Sequence, residues 1–96
     1  MLIKKVPKEF LLNLLEQLAE SKYSKFFTVY FYKKDKTARK LIGRFNVTKY
    51  LHGGKRTSNP KEFFCIYDII NHGYRNVNKE TIYKVQVAGT LYLVEN

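Results

Sequence analysis

The stretch KFFTVYFYKKDKTARKLIGRFNV, residues 25–47, decides the fold of this chain. Residues 25–32 alternate between two faces, which is the period of a β-strand. One face carries Phe27, Val29 and Phe31, and the other carries Phe26, Thr28, Tyr30 and Tyr32. Residues 39–47 alternate as well, with Leu41, Phe45 and Val47 on one face and Lys40, Arg44 and Asn46 on the other. The polar run of residues 33–37 between them predicts a turn, so the stretch predicts a β-hairpin.

Further strand-like segments follow the hairpin. After an irregular basic loop at residues 48–61, the pattern predicts strands at 63–70, 74–77, 82–87 and 91–94, with turns at 71–73 and 88–90. The strand at 82–87 places Tyr83, Val85 and Val87 on one face. Asn78 is a residue type that caps helices, and it predicts a single helical turn at residues 79–81.

The segment before the hairpin has a helical period instead. Pro7 is tolerated in the first turn of a helix, and residues 8–21 follow it with leucines at i, i+3, i+4 and i+7. These are Leu11, Leu14, Leu15 and Leu18. We expect this apolar stripe to pack on the rest of the domain, and the alternative is a helix that binds a partner or dimerises.

These elements predict a mainly β protein with one N-terminal helix, an α+β chain. Its 96 residues fit one domain with one core. The helix lies within residues 1–22, and residues 25–96 form a small antiparallel barrel of five to six strands that carries the basic loop 48–61.

The net charge of +10 is concentrated in the middle of the chain. Residues 21–61 carry twelve lysines and arginines and one acid, Asp35, whereas residues 1–20 are neutral and residues 62–96 have a net charge of −1. Such a concentrated positive field attracts polyanions, whereas a charge that serves only solubility would be spread evenly.

The candidate binding residues follow from this charge. The hairpin supplies Lys33, Lys34, Lys36, Arg39, Lys40 and Arg44, and the loop after it supplies Lys49, Lys55 and Arg56. Lysine and arginine side chains meet phosphates, and Tyr30, Tyr32 or Tyr50 could stack on unpaired bases or pack within the domain. No helix suited to reading a groove is evident, so we expect low sequence specificity.

Three short pieces of the sequence carry a resemblance to a known family. They are FYKKDKTARKLIG at residues 31–43, GGKRT at 53–57 and IYDIINHGYRNVN at 66–78. Together they resemble the small SH3-type, Sm-like barrels related to the WYL domain of bacteria and phage, although this chain has no tryptophan. The resemblance implies that basic residues on the barrel bind nucleic acid or nucleotides. By match of motif it implies a role for Arg75, with Tyr74 beside it.

Other chemistries receive little support from the sequence. His52, His72 and Cys65 lack the paired spacing of metal ligands, and Gly53-Gly54-Lys55 lacks the spacing of a phosphate-binding loop. Asp68 and Arg75 lie on neighbouring predicted strands, which favours an ion pair over a catalytic carboxylate. We therefore expect no enzymatic activity, no bound metal and no cofactor.

The sequence thus predicts a nucleic-acid-binding protein, for either DNA or RNA, and leaves one alternative open. The alternative is a protein-interaction module that binds an acidic protein surface, as a phage protein does when it binds or inhibits a host protein. A single cysteine excludes an internal disulfide, and no apolar run approaches membrane-spanning length. We expect a cytoplasmic protein of a bacterial or phage-infected cell that does not bind membranes and could form homo-oligomers.

Overall fold

The computed structural model describes residues 1–20, 26–45 and 61–95. They form seven strands, one α-helix and one 3-10 turn. The elements are β1 (Leu2–Val6), α1 (Lys8–Glu20), β2 (Phe27–Tyr32), β3 (Ala38–Arg44), β4 (Phe63–Asp68), β5 (Gly73–Asn78), the 3-10 turn (Lys79–Thr81), β6 (Ile82–Val87) and β7 (Thr90–Val94). The prediction of a mainly β chain with one helix is confirmed.

The strands make one mixed sheet in the order β1-β7-β6-β2-β3-β4-β5, and this sheet is not closed. All neighbours pair antiparallel except β1 and β7, which pair in parallel with Leu2 beside Thr90 and Val6 beside Val94. Residues 25–96, the region of the predicted barrel, contribute six strands that all pair antiparallel with one another, as expected, but the described sheet stays open and has a seventh strand, β1, in parallel pairing. The strand that the sequence missed is β1, whose only buried side chain is Val6, so its sequence carries no alternating apolar signal.

Helix α1 begins after Pro7, whose carbonyl accepts hydrogen bonds from the backbone N–H groups of Phe10 and Leu11 at 3.0 and 3.3 Å. Leu11 and Leu15 are fully buried in the core, and Leu14 and Leu18 pack against it. The predicted packing of the leucine stripe is thus confirmed, although the last predicted helical residue, Ser21, lies outside the described residues.

Polar contacts fix the helix against the 3-10 turn. The Lys8 ammonium donates to the backbone carbonyls of Glu80, at 2.9 Å, and Ile82. Lys79 lies 3.6 Å from the Glu16 carboxylate, and its Nζ is 4.5 Å from the centroid of the Phe64 ring. These contacts join two segments, α1 and the 3-10 turn, that are about seventy residues apart in sequence.

The strand registers sort the side chains onto two faces of the sheet. The face under α1, here called the covered face, carries the buried apolar residues Phe27, Val29, Leu41, Phe64, Ile66, Val77, Val85 and Val87. The opposite face, here called the open face, carries Tyr30 between its cross-strand partners Lys40 on β3 and Lys84 on β6. The predicted alternation in β2 and β3 is confirmed at the described positions, whereas Asn46 and Val47 lie outside them.

Local hydrogen bonds of Asn78 and Asp68 mark the ends of strands β5 and β4. The predicted Asn78 cap is present, since its side-chain oxygen accepts from the Glu80 N–H at 2.9 Å. Strand β4 stops at Asp68, two residues before the predicted end. Its carboxylate accepts the backbone N–H groups of Ile70 and Asn71, both at 3.0 Å, and so holds the chain in a turn.

Candidate nucleic-acid interface

The turn between β2 and β3 exposes lysines, and its one acidic residue, Asp35, accepts hydrogen bonds from within the turn. The Lys33 N–H donates to the Thr37 carbonyl at 2.9 Å, and this hydrogen bond closes the turn. The Asp35 carboxylate accepts from the hydroxyl of Thr37 at 2.6 Å and from its N–H at 3.0 Å. These two bonds, together with the nearby charge of Lys33, hold the pKa of Asp35 below its usual value. Lys33, Lys34 and Lys36 all remain exposed.

A second polar centre lies at the turn between β4 and β5. Asp68 is buried, and its Oδ2 accepts from the Asn71 side chain at 2.8 Å and from Arg75 Nε at 3.1 Å. Burial alone would raise the pKa of this carboxyl, but the hydrogen bonds from Asn71, Ile70 and Arg75 outweigh burial and lower it. The predicted ion pair between Asp68 and Arg75 is confirmed.

The two centres meet in one open pocket of about 300 Å³. It is lined by Phe31, Lys33, Arg39, Tyr74, Arg75 and Asn76, and we call it the basic pocket. Lys33 and Arg39 come from the charged hairpin, whereas Tyr74 and Arg75 come from the segment that resembles the barrel family. Residues that are more than thirty positions apart in the sequence therefore line the same surface.

The Arg75 side chain is held at one end and accessible at the other. Asp68 engages its Nε, yet the side chain of Arg75 keeps 45% of its surface exposed. An arginine carries donors on Nε and on both terminal nitrogens, and a carboxylate on Nε leaves the terminal nitrogens able to meet a second anion. Asp68 therefore orients Arg75 toward the pocket without neutralising the whole pocket, which also contains Lys33 and Arg39.

The structure does not place the other predicted binding residues in this pocket. Lys34 and Lys36 are on the turn, and Lys40 is on the open face opposite Tyr30. Arg44 is half-buried over the Phe26 ring, and its Nε is buried without a hydrogen-bond partner among the described residues. Lys49, Lys55 and Arg56, with most of the loop 48–61, lie outside the described residues.

Sequence reasoning missed two residues of the open face, Tyr83 and Lys84. The prediction that Tyr83 shares a face with Val85 is wrong, because the pairing of β2 with β6 shifts between Tyr30 and Phe31. Tyr30 pairs with Lys84 and Phe31 pairs with Ile82, so Tyr83 is an extra residue in β6 and lies against Tyr32 on the open face. A period-two pattern contains no signal for such a bulge.

The described residues also bear on metal binding and on membrane-spanning helices. Among these residues, no group of three or more His, Cys, Asp and Glu side chains could hold a metal ion. No helix in the same ranges has the length and apolar character needed to cross a membrane. Cys65 is half-buried in β4, and His72 is exposed in the turn after it, with a left-handed backbone at φ 57°.

Comparison with protein-family models, with curated proteins and with solved structures finds no match to this chain.

Proposed function

We propose that this chain is a small, non-enzymatic nucleic-acid-binding protein with low sequence specificity. The observation that carries the proposal is the basic pocket, where Lys33 and Arg39 lie beside Arg75. The charge of residues 21–61 and the Tyr74-Arg75 motif are independent features of the sequence, and the pocket joins them. A cluster of two arginines and a lysine, in which the neighbouring Asp68 carboxylate is already bound by Arg75 and Asn71, favours a phosphate backbone as ligand.

The proposed relation to SH3-type, Sm-like barrels is supported by the strand arrangement. Strands β2, β3, β4 and β5 form a meander, and β6 returns to pair with β2 on its other side. In the five-stranded unit β2 to β6, the first strand, β2, therefore pairs with both β3 and the last strand, β6. We expect this pairing when five strands curl toward a small barrel.

Binding to labelled single- and double-stranded DNA and RNA across a salt series tests the proposed function. If four to six phosphates are neutralised, the logarithm of affinity falls with the logarithm of salt at a slope of roughly −3 to −5. No detectable binding of any of these nucleic acids at low salt contradicts the proposal.

A charge-matched pair of variants tests the pocket itself. Lys33→Gln with Arg39→Gln removes two pocket cations, and we expect the salt slope to become shallower by about 2. Lys4→Gln with Lys5→Gln removes the same charge from exposed positions on β1, at the far edge of the sheet. We expect the second pair to keep the wild-type salt slope. An equal change of slope in both pairs would mean that net charge alone determines binding.

A protein-interaction module is the second candidate, and one observation favours it. Strand β1 is an edge of the sheet, and Met1, Leu2 and Ile3 expose between 64% and 77% of their surface. Exposed apolar side chains on an edge strand are suited to a protein partner or to a second copy of the chain. Leu2→Lys with Ile3→Lys should abolish such an association in nuclease-treated samples and leave nucleic-acid affinity unchanged. Lys33→Gln with Arg39→Gln should instead lower nucleic-acid affinity and leave the association with protein unchanged.

A further inference from the structure

Three tyrosines form a cluster on the open face of the sheet. The rings of Tyr32 and Tyr83 are stacked, with centroids 4.6 Å apart and an interplanar angle of 26°. The Tyr30 ring lies 6.3 Å from Tyr83, and the Lys84 ammonium is 4.4 Å from the Tyr30 centroid. We call Tyr30, Tyr32 and Tyr83 the tyrosine cluster. Its members come from two neighbouring strands, β2 and β6.

The position of this cluster differs from that of the phenylalanine contacts in the core. Phe27, Phe45 and Phe64 contact one another inside the core, where each is at most 6% exposed. Tyr32 is 46% exposed, and α1 packs on the other side of the sheet. The bulge in β6 turns Tyr83 out of the core and under Tyr32. The result is a stack of two rings whose upper member faces solvent.

The charges around the cluster are all of one sign. The open-face positions of β2, β3 and β6 contain Lys40, Arg44 and Lys84 and no carboxylate. The exposed Lys33 and Lys34 follow Tyr32 in the chain, whereas the pocket residues Phe31, Arg39 and Arg75 lie in register with the covered face. An accessible aromatic ring with lysines on its own face matches the way that proteins hold single strands.

We propose that Tyr32, backed by Tyr83, is a stacking platform for an unpaired base, and that the chain therefore prefers single-stranded nucleic acid to duplex. The inference rests on the proposed function, since it takes nucleic acid as the ligand, and Lys40 and Lys84 on the same face supply the neighbouring phosphate contacts. A base placed on Tyr32 extends the existing stack by one ring. A duplex cannot use the platform, because its bases already stack on one another and present only their edges.

The tyrosine cluster also suits a polyanion electrostatically. Burial raises the pKa of Tyr83, and the neighbouring phenols of Tyr32 and Tyr30 raise it further. Like an ordinary tyrosine, whose pKa is about 10, Tyr83 is neutral at pH 7 and adds no negative charge beside a phosphate backbone. The Lys84 ammonium, 5.8 Å from the Tyr83 centroid, keeps this part of the face positive.

The wild-type chain provides the first test. Its affinity is measured by fluorescence anisotropy for a labelled single strand of thymidines, for a duplex of equal length and for an abasic strand with the same number of phosphates. We expect the base-bearing strand to bind roughly 5- to 150-fold more tightly than the abasic strand, as one stacked base implies. The duplex should bind more weakly than the base-bearing strand.

Variants of Tyr32 provide the second test. Tyr32→Phe keeps the ring and should keep the affinity for the single strand, whereas Tyr32→Leu should lose most of the preference over the abasic strand at an unchanged salt slope. Phe10→Leu is the matched control, because Phe10 is a ring of almost equal exposure, at 45%, on helix α1. It should leave every affinity unchanged.

The outcomes separate this inference from the proposed function. Equal affinity for the base-bearing and abasic strands, or equal loss of single-strand and duplex binding in Tyr32→Leu, overturns the platform and leaves nucleic-acid binding in place. Absence of binding to all three probes overturns both. If Tyr32→Leu fails to fold, the wild-type comparison of base-bearing and abasic strands still decides the matter.

Discussion

The two faces of the same sheet differ in what they do with aromatic and aliphatic residues. On the covered face Val29 and Val85 are fully buried beneath Leu11 and Leu15 of α1. On the open face the cross-strand neighbours of Tyr30 are lysines, and Tyr32 is half exposed. Alternation along each strand thus supplies stability on one side and a charged aromatic surface on the other. Substitutions of the buried apolar residues on the covered face should change stability, and those on the open face should change binding.

The largest effect is expected for Leu15→Ala. Leu15 is fully buried, and its truncation removes apolar burial and leaves a cavity, so the free energy of unfolding should fall by about 2–5 kcal/mol. Leu2→Ala makes the same chemical change at a residue that is 64% exposed and should cost less than about 0.5 kcal/mol. Urea denaturation measures both. Similar losses in the two variants would contradict the burial of Leu15 in the core.

A smaller loss is expected where the hairpin joins β4. Strands β3 and β4 pair at Gly43 with Asp68 and at Arg44 with Tyr67. A Cβ at position 43 would collide with the Tyr67 carbonyl oxygen and come within 2.7 Å of Ile66 Cγ2. Gly43→Ala should therefore destabilise the chain by about 1–3 kcal/mol.

Gly73→Ala is the matched control for this junction. A Cβ at Gly73 meets nothing within 4 Å, and thermal unfolding should be almost unchanged in that variant. A tolerated Gly43→Ala would show that the close approach of β3 and β4 is not required by the fold.

Asp68→Asn tests the polar centre that orients Arg75. Its carboxylate accepts four hydrogen bonds, and an amide cannot accept them all, so we expect a loss of about 1–3 kcal/mol at pH 7. The folded-state pKa of Asp68 is lowered, so its contribution is complete above the unfolded pKa near 4 and is lost as the pH falls through the folded pKa.

The difference in unfolding free energy between wild type and Asp68→Asn should consequently be constant from about pH 5 to 7 and shrink below about pH 4. Glu62→Gln removes an equal charge from an exposed residue and should change stability little. A difference that persists undiminished at about pH 2 would show that the ionised carboxylate is not what stabilises this turn.

The local signals in the sequence predicted most of the elements and the Asp68–Arg75 pair. The alternating pattern located strands β2 to β7, and most of their predicted ends differ from the observed ends by no more than two residues. The leucine spacing located α1. Alternation could not reveal β1, because an exposed edge strand in parallel pairing needs no alternating apolar residues. The bulge at Tyr83 depends on how β6 meets β2, and the convergence of Arg39 with Arg75 depends on how the hairpin lies against β5. Both follow from tertiary packing, which single-strand patterns do not contain.

The most direct test of where the chain binds is the change in backbone amide chemical shifts on titration with an oligothymidine. We predict that the largest changes cluster in three segments, residues 30–40, 74–76 and 83–84, which include the basic pocket and the tyrosine cluster. Changes confined to α1 and β1, with these segments unaffected, would contradict the central claim that the pocket and the open face form the binding surface.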